Sequence, residues 1–264
     1  MRWRGLILLA CGALVAGAAE TAAERGKRVV DAALQALGGD AYLHMADRTE
    51  SGRAYSFYRQ EIAGLDIATI YTRYVSPVPG KMAMRERQAF GKKQENGAVL
   101  FTETGAWEIN FRGARPLEEL RYANYTDSTL RSILYILRQR LGEPGLTFFS
   151  RGSDFYENRP VEIVDITDAQ NMTVTVYFEQ SSKLPVRQVF KRRNPQYKDF
   201  DTEVSIFAKF RDVGGGVKWP YDVRRERNGE KIFELFAETV EINKDLQDNL
   251  FTLPGNLKLL PKGK

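Results

Sequence analysis

The side chains that most often do chemistry are sparse in this chain of 264 residues, which holds one histidine, His44, and one cysteine, Cys11. A Ser-His-Asp relay or a histidine-based zinc site would have to rest on His44 alone. That residue follows the first helical segment closely, where a surface or packed histidine is the ordinary reading. Carboxylates pair as Glu118-Glu119 and as Asp199 with Asp201, but glycoside hydrolysis needs two of them facing each other across a cleft, and nothing in the sequence places them so. No G-x-S-x-G, S-x-x-K, P-loop or G-x-G-x-x-G pattern occurs. Gly214-Gly215-Gly216 has strand-like sequence on both sides, where a phosphate loop needs a following helix. The expectation is a protein that is not an enzyme, with no catalytic residues, no cofactor and no metal site.

What the sequence does offer is large apolar side chains at alternating positions. Met82 and Met84 share one face of a strand, and two unbranched, deformable side chains suit a pocket that adapts to flexible chains. Phe57, Tyr71, Phe101, Trp107 and Phe178 lie on neighbouring strands, and Ile133, Leu134 and Leu137 fall on a helix that could cover them. These ten residues are the candidate ligand-binding set. The competing reading is that all ten are ordinary core, because alternation separates two faces without saying which is the inner one.

The elements that must position them begin with Thr21-Ala22-Ala23-Glu24, a capping box. Val29, Val30, Ala33, Leu34 and Leu37 then share a helical face until Gly38-Gly39. After a short turn over 40–46 the pattern becomes strand alternation. Strands are predicted over 49–61, 66–75, 81–90, 98–103 and 107–111, then 146–156, 161–167, 172–179, 186–191, 203–213, 217–227 and 231–242. Turns are expected at Ala63-Gly64, Thr104-Gly105, Gly214-Gly215-Gly216 and Asn228-Gly229. One strongly helical stretch, 116–141, interrupts them, with Asp127 or Ser128 as a cap and Leu130, Ile133, Leu134, Leu137 and Leu141 at helical spacing. Arg138-Gln139-Arg140 follow at its carboxyl end, where the helix dipole favours positive charge. An antiparallel sheet with two apolar-faced helices must curl around them, so the fold class expected is α+β, mainly β: an unclosed antiparallel half-barrel of roughly 11–12 strands wrapping an amino-terminal helix and a central helical lid.

The first residues read as an address. Arg2 and Arg4 precede an apolar stretch, Gly5 to Ala18, that ends in Ala16-Gly17-Ala18, the build of a secretory signal peptide over 1–19. Leu8-Leu9-Ala10-Cys11 also fits a lipobox, which would anchor the chain by a lipid on Cys11. Cleavage there leaves an apolar core shorter than the roughly 7–15 residues expected. With the leader gone, the net charge of +5 falls to +3, because Arg2 and Arg4 leave with it. Lys and Arg are interleaved with Asp and Glu, so no nucleic-acid face forms. The densest cluster, Lys191-Arg192-Arg193 with Lys198, reads as a solvated hairpin end, or as a weak attraction for anionic headgroups. No linker divides residues 20–264, which read as a single domain.

The chain resembles the LolA/LolB-like family of periplasmic carriers and receptors for outer-membrane lipoproteins. The resemblance runs through the first helix ending Leu37-Gly38-Gly39 with Leu43 after it, and Val174-x-Val176-x-Phe178 leading to Leu184-Pro185-Val186. It continues in Phe210-Arg211-Asp212-Val213, Gly216-Val217-Lys218-Trp219-Pro220 and Asn249-Leu250-Phe251-Thr252-Leu253-Pro254. It implies a half-barrel with a hydrophobic cavity for a lipid or lipoprotein acyl chains, in a monomeric periplasmic protein. An inner-membrane extractor and an outer-membrane acceptor would be its protein partners, with no role for nucleic acid. The insertion over 116–145 departs from a minimal carrier. The alternative is an envelope interaction module of the same fold with its interior filled, and a hydrolase ranks below both.

Overall fold

The computed structural model describes residues 19–255 and 257–261; the expected leader core and Cys11 lie outside the described residues. Thr21 caps the first helix, α1 (Ala22–Leu37), by accepting the Glu24 amide at 3.2 Å while Glu24 accepts the Thr21 amide at 2.8 Å. Its buried face is Val29, Val30, Ala33, Leu34 and Leu37, as the spacing predicts. Gly38, at φ 126°, ends it, and a single turn, α2 (Asp40–Leu43), follows.

Six strands come next: β1 (Asp47–Tyr58), β2 (Glu61–Tyr74), β3 (Met84–Phe90), β4 (Gly97–Phe101), β5 (Ala106–Asn110) and β6 (Gly113–Pro116). Helical chain then intervenes as α3 (Glu119–Leu130) and α4 (Ile133–Tyr135), the latter running directly into a π-helical turn over Ile136–Arg140. Seven strands complete the fold: β7 (Thr147–Tyr156), β8 (Arg159–Thr167), β9 (Thr173–Glu179), β10 (Pro185–Arg193), β11 (Phe200–Asp212), β12 (Lys218–Arg227) and β13 (Glu230–Ile242). They form one antiparallel sheet of 13 strands in the order β6-β5-β4-β3-β2-β1-β13-β12-β11-β10-β9-β8-β7. Two meanders are therefore joined by β1 pairing with β13, from Arg48 opposite Ile242 to Ser56 opposite Phe233. The sheet's two edges, β6 and β7, are neighbours in the chain, and the helical segment spans the gap between them.

Three details differ from the sequence reading. The β1–β2 turn is Arg59-Gln60, both at positive φ of 50° and 67°; Ala63-Gly64 lies inside β2, where a bulge absorbs the extra residue opposite Ser56 and Phe57. Residues without a turn signature have taken the tight primed-turn geometry that usually favours Asn-Gly. The helical stretch is not continuous, and neither Asp127 nor Ser128 caps it, because both lie inside α3. It breaks at Arg131 and Ser132, where the Arg131 guanidinium donates to the Lys191 carbonyl at 2.7 Å and to Asp127 at 2.6 Å. That anchor on the end of β10 turns the chain inward, so Ile133 is fully buried. Finally β6, four residues long, makes the strand count thirteen.

The main core lies where α1, α2, α4 and the π turn cover the inner face of β8 to β12, and it includes Leu37, Tyr42, Met45, Ile136, Val176 and Val217. At the β6 edge, the Ala114 amide donates to the Lys258 carbonyl at 2.9 Å and the Leu260 amide donates to the Ala114 carbonyl at 2.7 Å. No helix among the described residues is long and apolar enough to cross a membrane.

The seam between β1 and β13 tolerates no side chain at Gly52. A Cβ there would sit 2.0 Å from the Phe236 carbonyl oxygen, so backbone must move. Gly52→Ala is expected to lower stability by about 1–3 kcal/mol, read as a fall in the denaturant midpoint; an unchanged midpoint would show the seam to be pliable.

Candidate ligand cavity

Strand alternation sends Arg48, Glu50 and Ala54 of β1 inward, with Ala68, Ile70, Thr72 and Tyr74 of β2 and Met84, Glu86, Gln88 and Phe90 of β3. From the other meander come Phe207, Trp219, Val223, Arg225, Phe233 and Leu235. These side chains do not meet a filled interior. Beneath Asn124, Tyr125, Ser128 and Thr129 of α3 and Leu134 and Tyr135 of α4 they line a half-open cavity of about 460 Å³, within the roughly 300–1,000 Å³ range of small-molecule sites.

One wall is apolar: Ala54, Ala68 and Leu235 are buried together with Ile70, Phe90 and Phe233 packed against them. The floor is polar and buried. Arg48 donates to the Tyr74 hydroxyl and to Thr72 Oγ1, each at 3.0 Å, and its Nε lies 3.5 Å from Glu50. Thr72 donates to Glu86 at 3.3 Å, and Gln88 donates to the other Glu86 oxygen at 2.7 Å. The Arg48 guanidinium lies over the Trp219 ring at 3.9 Å, a cation–π contact strengthened by desolvation. Burial opposes the Arg48 charge, but Tyr74, Glu50 and Glu86 outweigh it and hold the guanidinium above its ordinary value. Burial pushes the Glu50 carboxyl up, against the pull of Arg48. It also lifts the Tyr125 and Tyr42 hydroxyls well above the phenol range.

The roof is fastened at both ends. Arg192 of β10 donates to Asp127 at 3.1 Å and to Ser128, and lies 3.6 Å from Glu203, which also pairs with Arg227 at 2.8 Å. Thus Arg192, in the basic cluster expected to be solvated, is a half-buried tie between α3 and the sheet. At the other end three successive residues reach four loops. Arg138 donates to the Met45 carbonyl at 2.9 Å, Gln139 to the Val75 and Ala83 carbonyls at 2.8 and 2.6 Å, and Arg140 to Glu143 and to Asp168 at 3.1 Å. The Tyr42 hydroxyl donates to the Leu134 carbonyl at 2.7 Å, and its ring stacks toward Trp219 with centroids 6.4 Å apart.

No family model matches the sequence, and no curated protein matches it. Solved structures do. A domain from Vibrio parahaemolyticus described as an outer membrane lipoprotein-sorting protein superposes with a TM-score of 0.59 at 12% identity, over 87% of this chain and 97% of that one. A LolA superfamily protein from Nitrosomonas europaea gives 0.53 at 11% identity, over 86% and 97%. The fold is LolA-like. A DUF1329 family protein from Desulfovibrio piger shares it, with a TM-score of 0.60 at 12% identity over 86% and 97%.

Within this LolA-like sheet the ten candidate residues are dispersed. Met84 and Leu134 line the cavity. Met82 is buried beside Met84 and Tyr135, and Phe101 stacks on Tyr125 with ring centroids 3.6 Å apart. Ile133, Leu137 and Phe178 belong to the main core. Tyr71 sits on the opposite face from Ile70 and Thr72, accepting from Gln94 at 2.7 Å. Phe57 lies toward the β1–β2 turn with the Lys231 ammonium 4.7 Å from its ring, and Trp107 is half-buried on β5. The sequence reading passed over Arg48, Glu50, Glu86, Tyr125 and Trp219. For Arg48, Glu50 and Glu86 the signal was weak, charged residues at the same strand parity as Ala54 and Phe90; Tyr125 lies on α3, and Trp219 entered only through the family resemblance. His44 lies on the surface, 3.1 Å from Asp40.

Because burial raises the Glu50 carboxyl in the folded protein, the native state holds that proton more tightly than the unfolded chain does. Its contribution to stability therefore declines as pH rises from the unfolded carboxylate range through the folded value. Unfolding free energies of wild type and Glu50→Gln, compared from acid to neutral pH, should shift in the variant's favour as pH rises. A gap independent of pH would mean that Glu50 titrates alike in both states.

Proposed function

We propose that this is an exported, periplasmic binding protein or carrier that holds a lipid, or the acyl chains of a lipoprotein, in the cavity under α3 and α4, and acts in outer-membrane lipoprotein or lipid trafficking. The observation that carries the reading is the roofed cavity itself: a LolA-like sheet curled under a helical segment that leaves room beside an apolar wall. The leader-like first residues support export, and the lipoprotein-sorting description of the Vibrio domain supports the cargo class. Of the candidate residues, Met84 and Leu134 are proposed to touch the ligand, with Met82 and Phe101 backing the residues that do. An inner-membrane donor and an outer-membrane acceptor are the proposed partners.

A second reading, an interaction module with a filled interior, draws on the dense core where α1, α2 and α4 pack against β8 to β12. Chemistry on a bound ligand is not part of either proposal.

Protein purified from the periplasm without detergent, extracted under denaturing conditions and analysed by mass spectrometry, should release an amphiphile in stoichiometric amount. Ala68→Trp, which fills the apolar end, should abolish retention while circular dichroism stays native. A blank from wild type, repeated after incubation with labelled lipids and acylated peptides, would favour the interaction module.

A further inference from the structure

In an antiparallel sheet the hairpin turns fall alternately at its two ends. At one end stand the turns over 59–60, 91–96, 111–112, 168–172, 194–199 and 228–229, and at the other those over 75–83, 102–105, 157–158, 180–184 and 213–217. The two ends differ in chemistry. The first set of turns carries five exposed basic residues, Arg59, Lys92, Lys93, Arg112 and Lys198, against two exposed carboxylates, Glu95 and Asp199; the second set carries two of each. Exposed large apolar side chains divide the same way. Among the described residues, Tyr58, Ile62, Phe111, Met172, Tyr197 and Phe200 lie in the first set or within two residues of it, and Val78 and Phe155 in or beside the second.

Single exposed apolar side chains are ordinary on a protein surface, but three hairpins of the first end repeat one arrangement, a ring followed by a cation: Tyr58-Arg59, Phe111-Arg112 and Tyr197-Lys198. Phe111 is 90% exposed, Tyr197 71% and Tyr58 68%. Aromatic rings settle at the level of lipid headgroups, and lysine and arginine are drawn to anionic ones. The cavity opens on the same side. The exposed residues of its lining are Arg225 and Arg227, on the part of β12 that leads into the 228–229 turn, whereas Arg48, Glu86 and Trp219, toward the opposite end, are buried.

We propose that this rim docks on an anionic phospholipid bilayer, with the aromatic tips of the three hairpins in the headgroup layer and the mouth of the cavity turned toward it. Docking goes beyond the lipid-holding role and does not depend on it. Where both hold, a ligand passes between bilayer and cavity at the point of contact.

The test is flotation with phosphatidylcholine vesicles, either pure or containing about one-third phosphatidylglycerol. Wild type should bind the anionic vesicles at least about tenfold more tightly than the neutral ones. Arg112→Glu combined with Lys198→Glu should lower that binding at least about tenfold, and Phe111→Ser combined with Tyr197→Ser at least about threefold. Lys81→Glu combined with Lys183→Glu, the same change of charge at the opposite end, should alter it less than about twofold. No preference for anionic vesicles, or an equal loss from reversals at either end, overturns the proposal. Should a rim variant lose its fold by circular dichroism, hydrogen exchange on the wild type decides. Anionic vesicles should protect 58–61, 110–113 and 194–200 and leave 155–158 and 180–184 as they were; protection of the second group instead overturns docking by this rim. Protection of the first group by raised protein concentration alone, without vesicles, would make the rim an interface between copies of the chain and overturns it too.

Discussion

Antiparallel pairing between β1 and β13 turns what would be two separate meanders into one sheet, and the rest of the interior follows from it. With that seam in place the two free edges belong to β6 and β7, consecutive strands in the chain. Whatever connects them has to cross the opening between the edges. The connection is mostly helical, with most of its backbone hydrogen bonds satisfied internally and the Ile133 amide at the break donating to the Gln188 side chain at 2.8 Å, so it can lie over the space without needing a strand partner. The cavity is thus a product of topology: a sheet wide enough to curl, closed by the one connection that cannot be a hairpin.

The polar floor is stable because it is a network. Arg48 would be an expensive buried charge alone, yet it is held by Tyr74, Thr72, Glu50 and the Trp219 ring at once. Networks of this kind stand or fall together. The same group of side chains reaches the roof through Tyr42, whose hydroxyl meets Leu134 and whose ring faces Trp219. The floor thus touches the helix above it through a chain of two contacts, Trp219 to Tyr42 and Tyr42 to the Leu134 carbonyl. The Arg138-Gln139-Arg140 run holds the other end of that helix: successive residues point in different directions around a helix, and here each direction has a different loop to bind.

Much of this architecture could be read from the residues. Thr21 and Glu24 announce the first helix by a local exchange of hydrogen bonds, and Asn228-Gly229 supplies positive φ cheaply, so both features follow from short-range physics. Alternation located most strands of the second meander within a few residues. The features that escaped depend on the tertiary fold. Arg59-Gln60 makes a tight turn because β1 and β2 pair around it, not because of its own preference. The break at Arg131 exists because Lys191 and Asp127 offer partners there. The floor was hidden for a related reason: Arg48 and Glu50 alternate like surface residues, and only the sheet's curl makes their face the inner one. Met84 and Leu134 were legible as apolar side chains, whereas the charged residues beside them looked like solvent.

An unclosed sheet has two edges, and exposed edges invite strand addition from other copies of the chain. At β6 the backbone groups of Ala114 are taken by Lys258 and Leu260, a parallel bridge that leaves less ladder for a foreign strand to template. At β7 the guard is α1, which approaches so closely through Gly26 that a Cβ there would stand 2.9 Å from the Phe148 backbone. The two ends of the described chain thus each shield one side of the gap. The described segments at either end of this open sheet occupy part of each edge, the places where a neighbouring strand would begin.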